Sequence, residues 1–280
     1  MNFATTLALL LMQPAAVTSP FDFAEGDRVV FIGGTLIERE QASGYWELAL
    51  TLRNKDKHVT FRNLGWSGDT VWGESRGSFD GPAKGYAKLL ELTKGLKPTV
   101  ILICYGQNES YVGEKGVAAF TAQYEKLLKD LAPTKARFVL LSPTPFEEVK
   151  ALKDAKAKNE NLAKYVVATK ELAEKQKAAF VDLFASNPAG TENGVHFDAA
   201  GYKRLAEVFG SVPPPLSDDL REAIVAKNEL FFHRWRPQNE TYLFGFRKHE
   251  QGKNGKEIAE FDPLVEKAEK RIAELRPSGR

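Results

Sequence analysis

Two uninterrupted apolar runs, Val100-Ile101-Leu102-Ile103 and Phe138-Val139-Leu140-Leu141, constrain this chain more than any other feature. A strand with one wet face alternates apolar and polar residues, so a run without alternation belongs to a strand covered on both faces, as in a parallel sheet. Around these runs the strands are predicted at Thr99 to Cys104 and Arg137 to Ser142, with three more at Arg28 to Ile32, Val59 to Asn63 and Phe180 to Leu183. Between them, apolar residues recur at three- and four-residue spacing: Trp46, Leu48 and Leu52; then Tyr124, Leu127, Leu128 and Leu131. Leu152, Leu162, Tyr165, Val166 and Leu172 repeat the pattern in a lysine-rich stretch from Val149 to Lys177. Strand and helix in regular succession imply right-handed crossovers. The expectation is a three-layer α/β fold: a doubly wound, five-stranded parallel sheet with helices on both faces.

The run Val212-Pro213-Pro214-Pro215 ends regular structure, because proline cannot continue a helix. It divides a sheet domain over 21–212 from a C-terminal helical extension over 213–280. The extension lacks the apolar content for a core of its own and is expected to pack on the sheet domain. At the other end, Leu7 to Met12 form a short apolar run followed by Pro14 and small residues. Such a run is too short for a bilayer, which takes roughly 20 apolar residues. It reads as a secretory leader over 1–20, though no lysine or arginine precedes it, and cleavage would place the protein outside the cytoplasm.

Composition removes several functions. Lysine and arginine number 39 against 37 acidic residues, a net charge of +2, with no long single-sign block, which argues against nucleic acid as a partner. The single cysteine, Cys104, excludes an internal disulfide framework and multi-cysteine metal sites. Neither His58 nor His249 has a partner at metal-ligand spacing. No metal, cofactor or membrane span is expected.

In an open parallel sheet, ligands bind beyond the carboxyl ends of the strands. Four polar loops are predicted there: Gly33-Gly34-Thr35, Gly65-Trp66-Ser67-Gly68-Asp69-Thr70, Tyr105-Gly106-Gln107-Asn108-Glu109 and Glu192-Asn193-Gly194-Val195-His196. In order and spacing these blocks resemble the SGNH, or GDSL-type, hydrolases over roughly Asp27 to Gly210. The resemblance implies a flavodoxin-like fold and ester hydrolysis, most of all of O-acyl groups on carbohydrate. It implies Thr35 in the nucleophile position, His196 as general base, and an oxyanion hole made of Gly68, Asn108 and the Thr35 amide.

Two positions depart from that family's pattern. Thr35 replaces serine, and its extra methyl restricts the rotamer of the attacking oxygen. Asn193 replaces the aspartate that orients the histidine; it can accept a hydrogen bond from the imidazole but brings no charge, a change that costs about 10⁴-fold in a serine protease. Three readings therefore stay open. Thr35 is a slow nucleophile with Glu192 or Asp198 orienting His196; a water is activated by Asp69 or Glu109 together with His196; or the cleft binds a glycan or other polar ligand without cutting it. Trp66 and Tyr105 are candidate stacking faces for substrate. Arg234 and Arg236, in the aromatic- and arginine-rich segment from Phe231, are candidate anion forks if the extension folds back over the strand ends. The competing expectation is that these arginines pair with nearby acids while Phe231, Phe232 and Trp235 dock the extension. Ser67 is expected to stabilise its loop.

Overall fold

A computed structural model describes residues 19–186, 189–212 and 218–277. Five strands, β1 (Arg28–Gly33), β2 (Thr60–Asn63), β3 (Val100–Cys104), β4 (Arg137–Leu141) and β5 (Ala179–Val181), form one parallel sheet in the order β2-β1-β3-β4-β5. Every residue of β3 is buried, which is what its unbroken apolar run requires. The helices are α1 (Thr35–Ser43), α2 (Tyr45–Arg53), α3 (Pro82–Gly95), α4 (Val117–Leu131), α5 (Ala155–Gln176), α6 (Ala199–Leu205) and α7 (Asp218–Trp235). Two short turns, α8 (Glu240–Leu243) and α9 (Lys248–Gln251), lead to α10 (Phe261–Leu275).

Alternating residues of the strands feed two cores. Val30, Ile32, Ile101, Ile103 and Leu140 pack with Leu89 of α3, Phe120, Tyr124 and Leu127 of α4, and Tyr165 and Leu172 of α5. On the other face, Val29, Phe31, Phe61, Leu102 and Leu141 pack with Ile37, Trp46 and Leu50 of α1 and α2 and with Tyr202 and Leu205 of α6. Helices on both faces and this strand order make the fold doubly wound and flavodoxin-like, with the switch of winding direction between β1 and β3.

Two predicted boundaries move. The helix expected from Val149 begins at Ala155, because Val149 and Leu152 bridge each other in a tight turn beforehand. The last strand is confined to Ala179–Val181, since Asp182 turns away to accept the amide of Ala185. Residues 1–18 of the expected leader, and 213–217 with the triple proline, lie outside the described residues. No described helix is long and apolar enough to cross a membrane.

The extension inserts into the rest of the molecule. Phe231 and Trp235 of α7 join the core on the α3 and α4 side, and Leu220 and Ile224 pack with Leu48 of α2 and Ile272 of α10. Lys227, wholly buried, places its ammonium on Glu47 (2.7 Å), the carbonyl of Phe61 (3.1 Å) and the amide oxygen of Asn228 (2.8 Å). A buried ammonium this well satisfied fixes the register of α7 against α2 and β2.

Candidate active site

β1 and β3 pair with Gly33 opposite Cys104, so the loops leaving them emerge side by side at the switch point. Thr35 is the first residue of α1, where unpaired helix amides favour developing negative charge. Its hydroxyl oxygen accepts a hydrogen bond from the Gly68 amide at 3.1 Å. Gly68 has φ +75°, a left-handed conformation that costs glycine little and turns its N–H inward. Asn108 lies on the third side: its side-chain nitrogen donates to the carbonyl of Asp69 at 2.9 Å, leaving a second N–H available. Thr35, Asn108, Gly106 and Pro143 are among the residues around a recess of about 20 Å³.

His196 reaches this edge through α6. The Tyr202 hydroxyl donates to the carbonyl of Leu36 at 2.9 Å, and Arg39 of α1 pairs with Glu192 at 3.5 Å, so the His196 loop is tied to α1 at two points. Burial lowers the His196 pKa from its ordinary value; the neighbouring Arg39 pushes it the same way and Glu192 opposes them. Burial and Arg39 thus both favour the neutral ring. Among the described residues no hydrogen bond joins His196 to Thr35.

Asn193 behaves differently from the sequence expectation that it accepts from the imidazole. Its oxygen accepts the amides of Val195 (3.1 Å) and His196 (3.0 Å), so its nitrogen is the atom facing His196 Nδ1, at 3.0 Å. Reversing the amide would aim its NH₂ at two N–H donors. Asn193 accordingly donates to Nδ1, and the single proton of the neutral ring resides on Nε2.

Several other candidates are engaged elsewhere. Glu192 is exposed and faces Arg39, while Asp198 caps α6 by accepting the Gly201 amide at 2.7 Å, so neither orients His196. Asp69 is buried and paired with the equally buried Arg76 at 2.6 Å, and Tyr105, also buried, donates its hydroxyl to Asp69 at 3.2 Å. Glu109 accepts the amides of Val71 (2.8 Å) and Gly106 (2.9 Å), and burial pushes its carboxyl up to about 7. These two carboxylates hold the loops together, and both also lie among the residues around the recess beside Thr35. Tyr105, with its hydroxyl engaged by Asp69, lines the same recess.

The extension does fold back, though its arginines find protein partners. Arg234 pairs with Asp262 at 2.7 Å. Arg236 pairs with Glu38 at 2.8 Å and lies 3.5 Å over the Trp66 ring, so neither Arg236 nor that face of Trp66 is free for substrate. Glu38, absent from the sequence candidates, also accepts the Ser67 amide at 2.6 Å and the Ser67 hydroxyl at 2.9 Å. Trp66, Glu38 and the extension line a cavity of about 900 Å³ whose wall includes Phe79, Phe244, Phe246, Lys84 and Glu91.

The sequence pattern of the GDSL-like lipase/acylhydrolase family matches residues 31–204. Among solved structures, an acetylxylan esterase from Geobacillus stearothermophilus, Axe2, superposes with a TM-score of 0.54 at 19% identity, covering 67% of this chain and 94% of that one. LAE5, an α/β hydrolase enzyme from the metagenome of Lake Arreo, Spain, gives 0.52 at 22% identity with the same two coverages, 67% and 94%. At these identities the likeness is one of fold. No curated protein matches the chain in sequence.

Proposed function

Because the chain belongs to the GDSL-like lipase/acylhydrolase family, we propose that it hydrolyses short O-acyl esters, acetyl groups on carbohydrate foremost. The observation that carries this reading is the Gly68 amide held 3.1 Å from the Thr35 hydroxyl at the first turn of α1. An ester carbonyl entering there would meet the amides of Thr35 and Gly68 and the second N–H of Asn108. Each such donor is worth about 10²- to 10³-fold in turnover. The Thr35 hydroxyl would give its proton to His196 as its oxygen bonds to the acyl carbon, the ester C–O bond would break as that proton passes to the leaving alcohol, and water would then release the acid from acyl-Thr35.

The recess of about 20 Å³ beside Thr35 is small, which suits a short acyl group such as acetyl. The cavity of about 900 Å³ has exposed Phe79 and Phe246 in its wall, and charges of both signs, with Arg236 on Glu38 and Lys88 on Glu240 and with Asp80, Lys84 and Glu91 beside them, which suits a sugar. His196 would serve as base only when its proton moves from Nε2 to Nδ1, against the Asn193 NH₂. The proposed enzyme is therefore slow, or acts on reactive or tightly held esters.

That same Asn193 orientation favours a second reading, a cleft that binds an acylated glycan without cutting it. Hydrolysis of p-nitrophenyl acetate and acetylated xylo-oligosaccharides by the wild type, Thr35→Ala and His196→Ala separates the two. The hydrolase predicts loss of turnover in both variants; equal rates in all three, with saccharide binding retained, establish the silent cleft. We also propose that residues 1–20 are removed on export, a reading that recovery of intact Met1 from cytoplasmic protein would overturn.

A further inference from the structure

We propose that the C-terminal extension holds the oxyanion loop in place through Arg236, a positioning residue lying outside the region matched by the family pattern. The catalytic half of this inference rests on the hydrolase reading above; the structural half does not.

The loop that supplies Gly68 is anchored firmly on either side of it. At Gly65 a Cβ would come within 2.3 Å of the Glu38 amide nitrogen, so the backbone there lies flush on α1. At Asp69 the buried pair with Arg76 holds the chain. Between these anchors, Ser67 and Gly68 are exposed and have no core packing. A turn bond from the Asp69 amide to the Trp66 carbonyl (3.0 Å) closes over them, and their side-chain tether is the Glu38 carboxylate, which accepts both the amide (2.6 Å) and the hydroxyl (2.9 Å) of Ser67, one residue before the amide that meets Thr35.

Arg236 fixes that carboxylate. Its Nη1 donates to Glu38 at 2.8 Å, and its guanidinium carbon lies 3.5 Å from the centre of the Trp66 ring, two residues before Gly68. It thus grips the loop twice, at Trp66 directly and at Ser67 through Glu38. Arg236 is itself set by its place at the end of α7: its amide donates to the carbonyl of Phe232 at 2.9 Å, and the preceding Trp235 packs on Trp66 at 5.9 Å between ring centroids. A planar group that stacks and donates at once is a task for arginine; lysine can supply only the charge. Oxyanion donors must be held within about 0.5 Å of their working position, and a displacement of about 1 Å can cost 10²-fold.

The test compares full-length wild type, Arg236→Ala, Arg236→Lys and, as control, Arg234→Ala, whose partner Asp262 lies within the extension. Amide hydrogen exchange is followed over residues 64–70 and over the strands, alongside kcat and KM for p-nitrophenyl acetate. In Arg236→Ala, exchange at Ser67 and Gly68 should accelerate roughly tenfold or more while the strands are unchanged. Its kcat should fall by about 10- to 100-fold with KM within about twofold of wild type. Arg236→Lys should fall between the two, and Arg234→Ala should match wild type. Unchanged exchange in the loop, a matching loss in Arg234→Ala, or acceleration spread through the whole sheet overturns the proposal. If the wild type has no Thr35-dependent turnover, the hydrolase reading fails, and the exchange comparison still decides whether Arg236 holds the loop.

Discussion

Replacing Asn193 by aspartate should convert a slow site into a fast one. Asn193 has its oxygen committed to the amides of Val195 and His196 and its nitrogen 3.0 Å from His196 Nδ1, which leaves the imidazole proton on Nε2, the nitrogen that a base needs bare. Aspartate has the same shape. One of its oxygens can keep both backbone amides while the other accepts Nδ1–H, so the proton changes sides and Nε2 is freed. The reverse substitution in a serine protease costs about 10⁴-fold, which is about 5.4 kcal/mol at 1.36 kcal/mol per decade. Asn193 is exposed, so solvent screens part of the new charge, and the expected rise in kcat is about 10²- to 10⁴-fold.

The pH profile carries an independent signature. Wild-type His196 titrates below its ordinary value, so activity that needs the neutral ring should fall only on the acid side. A carboxylate beside the ring favours its charged form, so the acid limb of Asn193→Asp should move to higher pH. The assay is kcat and kcat/KM for p-nitrophenyl acetate between about pH 5 and 9, repeated in a Thr35→Ala background to subtract solution hydrolysis. No gain, together with an unmoved acid limb in a variant whose Thr35-dependent turnover persists, would show that the His196 proton does not limit the reaction.

Thr35→Ser keeps the hydroxyl and removes the methyl that restricts its rotamer, so kcat should rise severalfold in the same assay. Lys227→Ala should destabilise the fold by about 3–5 kcal/mol in urea unfolding, because it strands the buried Glu47 carboxylate without its cation. Burial pushes Glu40 up to about 8, so it folds as the neutral acid while the unfolded chain ionises it near its ordinary value. The stability it contributes is complete below the unfolded pKa and is lost as pH rises through about 8. Glu109, pushed up to about 7, acts in the same direction, whereas Asp22, Asp130 and Glu147 are lowered and matter only in acid. The melting temperature should therefore fall from about pH 5 to about pH 8, and Glu40→Gln should flatten that fall in scanning calorimetry.

The sheet was legible because its signal is collective. The unbroken runs in β3 and β4 can satisfy burial only between two helical layers, and no single side chain could reverse that outcome. The edge strand β5 and the start of α5 were less legible, since both depend on one local choice: the Asp182 turn and the Val149–Leu152 bridge. Composition does not reveal a bond between a side chain and a particular backbone amide.

The same distinction explains the site. The loops that carry Thr35, Gly68 and Asn108 could be brought together from sequence because the ends of adjacent parallel strands must be neighbours, and the resemblance to the SGNH hydrolases picked out those residues within them. The roles of the carboxylates could not, because an acidic residue in a polar loop looks the same whether it faces solvent or caps amides. Asp69 and Glu109 turned inward, and Glu38, placed one helical turn beyond Thr35, became the carboxylate closest to the oxyanion loop in hydrogen-bonding terms. At Asn193 the decisive fact is the orientation of an amide. The Val195 and His196 amides claim its oxygen, and that claim alone leaves NH₂ facing the imidazole. An aspartate there would answer both demands with two acceptors; asparagine has one, and the backbone takes it. The substitution thus moves a proton from one side of a ring to the other without displacing a single element of the fold.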